Sequence, residues 1–124
     1  MDISSATLRV EFFPADLDVS IAFYERLGFA LVVRKATDPP YASMRFGHVR
    51  LGLCQAPAVD PALRAVPRGA EIVVEVDDID KLYDDVRRSG IERLESLSTR
   101  AWGLRDFRLT DPDGYYLRFT ERGE

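Results

Sequence analysis

The segment from Trp102 to Phe119 reads WGLRDFRLTDPDGYYLRF. Apolar residues alternate with polar ones on both sides of its central Asp-Pro-Asp-Gly: Phe107 and Leu109 precede this tetrapeptide, and Leu117 and Phe119 follow it. A period of two indicates β-strands. The tetrapeptide is typical of a tight turn, because Pro112 fixes its own φ and Gly114 tolerates a positive one. The segment therefore predicts a β-hairpin that opens on the only tryptophan of the chain.

The rest of the chain predicts two helices among further strands. One helical pattern begins at Asp16 and ends at Gly28, and a second begins at Asp78 and ends at Gly90. Aspartate is a preferred N-cap, and glycine commonly ends a helix. Strand composition occupies residues 7–13, 29–34, 41–46 and 49–54 in the first half, and 70–76 and 91–98 before the hairpin in the second. Both halves thus have the order β-α-β-β-β.

This order indicates an internal repeat. Asp78 follows Asp16 by the same number of residues as Gly90 follows Gly28. We therefore predict an α+β domain over residues 1–124, with a first βαβββ module at 7–54, a proline-rich linker at 55–69 and a second module at 70–121. One helix cannot cover both faces of its sheet, so each module leaves a face to pair or to form a cleft.

Composition narrows the class of protein. The net charge is −4 and the pI is near 5.1, which argues against binding to a nucleic-acid backbone. The sequence contains no apolar run of about 18 residues, and its start lacks the pattern of a signal peptide. Cys54 is the only cysteine, so an internal disulfide is excluded. We expect a soluble cytoplasmic protein.

Three motifs carry a family resemblance. They are S-x-x-F-Y-x-x-L-G-F at Ser20–Phe29, EIVVEVDD at Glu71–Asp78, and Trp102-Gly103 followed by Asp111–Gly114. Together they resemble the vicinal oxygen chelate superfamily, which includes glyoxalase I, extradiol dioxygenases and bleomycin-resistance proteins. The bleomycin-resistance branch is the most similar. The resemblance implies two βαβββ modules that form an open, barrel-like mixed sheet with a cavity, usually in a homodimer.

The metal site of that superfamily is not expected here. By the resemblance, its ligand positions correspond to Arg9, a residue near Gly52, Glu71 and Arg118. Arginine has no lone pair to offer a cation, and His48 is the only histidine. We therefore expect no transition metal and no cofactor. A site of carboxylates alone, from Glu11, Glu71 and Glu75, stays open as an alternative for Mg²⁺ or Ca²⁺.

Alternation along the strands predicts the residues that face the cavity. Arginines and glutamates dominate this face, and they either pair with each other or leave one group free for a ligand. Trp102 is suited to stacking on a flat heterocycle or a cation. The predicted ligand-binding residues are Arg9, Glu11, Phe13, Arg50, Glu71, Trp102, Phe107, Tyr116 and Arg118.

Two functions of different classes follow. The first is a metal-independent binding protein that sequesters a small molecule in a dimer groove, with a bleomycin-type glycopeptide as the example that the resemblance implies. The alternative is an enzyme of the same superfamily, such as a lyase, isomerase or dioxygenase with a non-standard site and a glutamate as base. Arginines stabilise the ionised form of a neighbouring glutamate and make it a poor base, which favours the binding protein.

Overall fold

The computed structural model describes residues 1–64 and 67–123, which divide into two compact units, Met1–Pro57 and Ala58–Glu124. The first unit contains β1 (Val10–Phe12), α1 (Leu17–Arg26), β2 (Ala30–Lys35), β3 (Tyr41–Phe46) and β4 (Val49–Cys54). Its strands form an open sheet in the order β1-β4-β3-β2, in which β1 and β4 are parallel and the other pairs antiparallel.

The second unit repeats this plan. It contains a short 3₁₀ turn (Pro61–Leu63), β5 (Ile72–Val76), α2 (Ile79–Arg88), β6 (Ser98–Thr99), β7 (Arg105–Thr110) and β8 (Tyr116–Glu121). The strand order is β5-β8-β7-β6, with β5 and β8 parallel. The α+β class and the two βαβββ modules are confirmed.

Both helices begin as the sequence predicts. The Asp16 carboxylate accepts a hydrogen bond from the Val19 amide at 3.2 Å, and the Asp78 carboxylate accepts one from the Lys81 amide at 3.1 Å. These caps satisfy amides that have no partner inside the helix. Because each helix covers one face of its own sheet, the apolar side chains of that face are buried.

The buried apolar residues form one core in each unit. In the first unit they include Phe12, Leu17, Ile21, Tyr24, Leu27, Phe29, Ala42, Met44, Leu51 and Leu53. In the second they include Val74, Ile79, Val86, Ile91, Phe107, Leu109, Leu117 and Phe119. Alternate residues of the strands therefore lie on the opposite face of each sheet, where the candidate site residues are found.

The predicted hairpin is confirmed as β7 and β8. The carboxylate of Asp111 accepts hydrogen bonds from the amides of Asp113 and Tyr115, at 2.8 and 2.9 Å, which closes the turn. Gly114 has a φ of 92° and packs so closely on the backbone of Pro61 that a Cβ would clash. Arg64 adds a cation–π contact, with its Cζ 4.3 Å from the centroid of the Tyr115 ring. The turn is thus packed against the segment that precedes it.

One sequence prediction needs correction, and one segment has structure that the sequence did not predict. The strand predicted at 91–98 is wrong over most of its length, because only Ser98 and Thr99 form β6 and a single bridge joins Leu94 to Leu109. The linker predicted at 55–69 includes a 3₁₀ turn capped by Asp60, while its residues 65 and 66 lie outside the described residues.

Candidate functional site

The open face of the first sheet carries three rows of side chains. The strand register places Arg45 opposite Arg50, and Lys35 opposite Tyr41. Between these rows, Ser43 and Glu11 are both register partners of Gly52. The alternate positions Ala42, Met44, Leu51 and Leu53 are buried against the helix side, so these polar side chains lie on the other face.

Glu11 is the centre of a small polar cluster on this face. Its Oε2 accepts a hydrogen bond from Arg9 Nε at 3.1 Å and another from the Tyr41 hydroxyl at 3.3 Å. Burial, with the charge of Glu11 as the next cause, raises the pKa of Tyr41. Gly52 lies beneath the cluster, and a Cβ there would clash with both the Glu11 carboxylate and the Tyr41 hydroxyl.

Two shallow cavities open on the same face. One, of about 290 Å³, is lined by Arg9, Lys35, Arg45 and Arg50 among other residues. The second, of about 460 Å³, adjoins Glu11 and Cys54. Arg50 donates to the Thr7 hydroxyl at 2.9 Å. Arg9, Glu11 and Arg50 are therefore gathered in one place, as the alternation predicts.

The open face of the second sheet carries the indole of Trp102. This side chain is 57% exposed, and the Cζ of Arg118 lies 5.7 Å from its ring centroid. Arg118 also forms an ion pair with Glu71, with 2.7 Å between Nε and Oε1. The guanidinium is thereby held between a carboxylate and an aromatic ring, and the indole stays open to solvent on this face.

Tyr116 lies on the same sheet. Its hydroxyl donates to Glu95 at 3.1 Å, and burial raises its pKa, which the neighbouring Arg108 partly offsets. Glu71, Trp102, Tyr116 and Arg118 thus all belong to the second unit.

A fully buried carboxylate, which sequence reasoning missed, organises the arginines of this face. Asp106 is 0% exposed, and its Oδ1 lies 2.6 Å from Arg100 Nε. Its Oδ2 lies 3.7 Å from both Arg108 Nη2 and Arg118 Nη1. A buried carboxylate requires such compensation, because desolvation of the charge is costly. The sequence did contain an indication of this cluster. Asp106 and Arg108 alternate with the apolar Phe107 in the hairpin, which places both of them on the face opposite to Phe107.

Two predicted aromatic residues occupy different environments. Phe107 is 0% exposed and stacks on Phe119, with 5.2 Å between the ring centroids and 13° between the planes. It belongs to the core, so the prediction that it contacts ligand is corrected: the alternation places it on the helix side. Phe13 follows β1 and is 43% exposed. The binding roles of the other predicted residues stay predictions.

The residues present do not fit the metal site that the superfamily implies. Of the four corresponding positions, Arg9 is ion-paired with Glu11, Gly52 has no side chain, and Arg118 is ion-paired with Glu71. Among residues 1–64 and 67–123, no three His, Cys, Asp or Glu side chains are grouped so that they could hold a metal ion. Neither helix in the described part of the chain is long and apolar enough to cross a membrane.

Fold and site together define an α+β protein of two βαβββ units with arginine- and glutamate-rich open sheet faces. Residues 7–119 match the Glyoxalase/Bleomycin resistance protein/Dioxygenase superfamily, and the chain belongs to this family. A bleomycin resistance protein of Klebsiella pneumoniae is 29% identical over 113 residues, which cover 86% of this chain and 84% of that protein. One from Geobacillus stearothermophilus is 30% identical over 121 residues, covering 86% and 89% of the two chains.

Solved structures give the same result. A bleomycin-binding protein in complex with bleomycin is similar with a TM-score of 0.75 at 28% identity, covering 97% of this chain and 99% of that one. A bleomycin resistance determinant encoded on the transposon Tn5 is similar with a TM-score of 0.79 at 26% identity, covering 97% and 100%. The likeness therefore extends over almost the whole chain.

Proposed function

We propose that this protein binds a bleomycin-type glycopeptide in the cytoplasm and sequesters it, without a transition metal and in a groove of a homodimer. The observation that carries the proposal is the exposed indole of Trp102, held beside Arg118 in a chain that resembles a bleomycin-bound protein over 97% of its length. An indole that is left open to solvent contributes little to the core, and its ring face stays available for stacking on a ligand.

The chemistry of the second sheet suits a flat, cationic ligand. The Trp102 ring offers a face for stacking on a heterocycle or a cation. Glu75 is exposed on β5 and supplies negative charge, while the exposed Glu71, just before this strand, is ion-paired with Arg118. The charge of Glu75 attracts a cationic drug, although salt at physiological strength screens this attraction beyond about 8 Å. Stacking would therefore supply most of the affinity, and Glu75 would orient the charged end.

Sequestration requires binding but no chemical step. The polar groups on the open faces of the two sheets can bind a ligand without any of them acting as a catalytic base. On the first sheet, Glu11 Oε2 already accepts hydrogen bonds from Arg9 and Tyr41. On the second, Glu71 is ion-paired with Arg118. Both carboxylates are thus engaged, which favours the binding protein over the alternative, a small-molecule lyase, isomerase or dioxygenase of the same superfamily.

The first experiment is a titration of Trp102 fluorescence with bleomycin in metal-free buffer. We expect a saturable change near two drugs per dimer, and Trp102 reports it without a competing signal because it is the only tryptophan. Calorimetry of Trp102→Ala should show binding weakened by at least about tenfold, which corresponds to the loss of one stacking contact. The matched control is Leu63→Ala, which removes another well-exposed apolar side chain of the second unit and should bind normally.

If the Trp102 fluorescence does not change up to about 1 mM bleomycin, any binding is too weak for sequestration. That result would contradict the proposal. Mass spectrometry of the recovered drug separates the two functions: unchanged bleomycin supports sequestration, and turnover supports the enzyme. Metal analysis of the purified protein completes the test, because stoichiometric zinc, iron or nickel would contradict metal independence.

A further inference from the structure

The open face of the first sheet has an excess of positive charge, although the whole chain has a net charge of −4. Four cationic side chains, Arg9, Lys35, Arg45 and Arg50, line one cavity of about 290 Å³. Two carboxylates, Glu11 and Asp38, line the adjoining cavity, and neither lines this one. This face therefore carries the same sign of charge as the cationic ligand that the second sheet is expected to bind, and it suits an anionic ligand instead.

Two of the arginines face each other across the sheet. Arg45 on β3 is the direct register partner of Arg50 on β4. Like charges that lie directly opposite on neighbouring strands destabilise a sheet. The arrangement is unfavourable by itself and becomes favourable when an anion lies between the two guanidinium groups.

Few of these charges are neutralised. Arg9 is ion-paired with Glu11, while Arg50 donates to the neutral hydroxyl of Thr7. In the described parts of the chain, residues 1–64 and 67–123, no hydrogen bond or ion pair is found for the side chain of Lys35 or Arg45. Arg45, Arg50 and Lys35 thus keep their charges available around the same cavity.

The donors match an oxyanion. Guanidinium groups present paired N–H donors that fit the two oxygens of a carboxylate or phosphate, and Lys35 adds a point charge. Ser43, between the rows, adds a hydroxyl that also lines the cavity. The space is sufficient for a small anionic group and part of the molecule that carries it.

We propose that the Arg45–Arg50 face is a binding site for a small molecule bearing a carboxylate or phosphate group. It lies in the first unit, requires neither Trp102 nor bleomycin, and goes beyond the function proposed above.

The test is an NMR titration of the full chain that follows the Nε–H resonances of Arg45 and Arg50. Inorganic phosphate and malonate are added in separate titrations at constant ionic strength, so that general screening does not change. Saturable shifts at both arginines support the site, and the tighter of the two probes identifies the class of anion. Shifts that stay linear with both probes would overturn the proposal.

Substitutions of single arginines test whether the anion binds at the Arg45–Arg50 face. Arg45→Gln should weaken binding of the preferred anion by about tenfold or more, because a charge-assisted hydrogen bond is lost. Arg45→Lys should recover only part of the affinity, since lysine lacks the planar pair of donors. The matched control is Arg34→Gln, which removes an arginine of the same unit that is ion-paired with Asp18. Equal weakening in Arg34→Gln and Arg45→Gln would overturn the proposal.

A second readout separates this site from the drug site. Trp102→Ala should leave the phosphate and malonate titrations unchanged, and Arg45→Gln should leave the stoichiometry of bleomycin unchanged. The anion site would then stand even if bleomycin did not bind. Loss of anion binding in Trp102→Ala would show that the response does not come from the Arg45–Arg50 face.

Discussion

Gly52 shows how one missing side chain shapes the polar cluster of the first sheet. The Glu11 carboxylate and the Tyr41 hydroxyl occupy the space that a Cβ at position 52 would need. The two groups can hydrogen-bond above β4 only because the strand presents bare backbone there. Glycine weakens a strand interior, so its presence here points to close approach by neighbouring groups.

Gly52→Ala should therefore displace Glu11 and Tyr41 and destabilise the protein by about 1–3 kcal/mol, as expected for overpacking of a tight site. The pKa of Tyr41 should fall toward its ordinary value, because burial and the nearby Glu11 charge raise it in the native protein. Urea denaturation measures the first effect. The second is measured by tyrosinate absorbance, as the difference between each protein and its own Tyr41→Phe variant. The control is Gly123→Ala, where a Cβ would meet only Leu104 at 3.4 Å. An unchanged Tyr41 pKa in Gly52→Ala would contradict this account.

Asp106 is the residue on which the arginines of the second sheet depend. Asp106→Asn keeps the shape of the side chain but removes the charge that compensates Arg100, Arg108 and Arg118. We expect a loss of roughly 3–5 kcal/mol, the usual effect of removing one partner from a buried ion pair. Chemical denaturation measures this loss. Asp77→Asn, which breaks an exposed ion pair with Arg122, should change stability little, and equal losses in the two variants would refute the role of burial.

The position of an individual site residue could be predicted from the sequence where alternation along a strand determines which face of the sheet its side chain occupies. A period of two predicts that Arg9 and Glu11 share a face, as do Glu71 and Arg118. It did not decide which of them pair, and the structure supplies those pairs. Phe107 was misassigned, and Asp106 was missed with it, because the two neighbours lie on opposite faces of β7. Burial of a charge cannot be inferred from its type, since aspartate is usually exposed.

At the level of elements, Arg105 joins helix α2 to the beginning of strand β7 in the second sheet. Its two Nη atoms donate to the carboxylate oxygens of Asp80, at 2.8 Å each. Its backbone amide and Nε donate to Glu121 Oε1, at 2.7 and 3.3 Å. The Arg105 amide, followed by its guanidinium, lowers the pKa of Glu121, and the Arg105 guanidinium lowers the pKa of Asp80. One side chain thus connects the first turn of α2 with β7 and β8.

This link makes stability depend on pH. A carboxylate whose pKa is lower in the folded state stabilises the protein above its unfolded pKa, and the contribution disappears as the pH falls through the folded pKa. Wild type should therefore melt at a higher temperature than Glu121→Gln at neutral pH, and the difference should disappear as the pH falls through and below the ordinary pKa of a glutamate. Thermal melts across this range give the test. Glu92→Gln changes another exposed glutamate of the same unit and serves as control. A difference that stays constant into acid would rule out the link.

The elements themselves were predictable to different degrees. Helix ends and the hairpin depend on local chemistry, namely the caps at Asp16 and Asp78 and the turn at Asp111, and these predictions are confirmed. The segment at 91–98 was predicted as a full strand from composition. It instead follows β7 through isolated contacts, such as the 2.8 Å bond from the Glu95 amide to the Arg108 carbonyl. Pairing with a neighbouring strand, which composition does not reveal, decides whether such a segment is regular.

At the scale of the whole molecule, we expect two copies of the chain to associate. β2 is the last strand of its sheet, and Leu31, Val32 and Val33 are each more than two fifths exposed there. An exposed apolar edge strand favours pairing with another chain. Sedimentation equilibrium should therefore give twice the mass of the 14.0 kDa chain at micromolar concentration. A strict monomer that still binds bleomycin would contradict the shared groove and leave the sequestering function in place.

The close approach of Gly114 to Pro61 bears on how this chain can be engineered. Because the turn at 61–63 is capped by Asp60 and packed on the hairpin, it is a poor position for a protease site, a tag or a new chain terminus. The turn between β3 and β4 is better suited, since Gly47 and His48 are both exposed and nothing packs on Gly47 within 4 Å. A fluorescent reporter inserted between these two residues would leave the hairpin anchor intact.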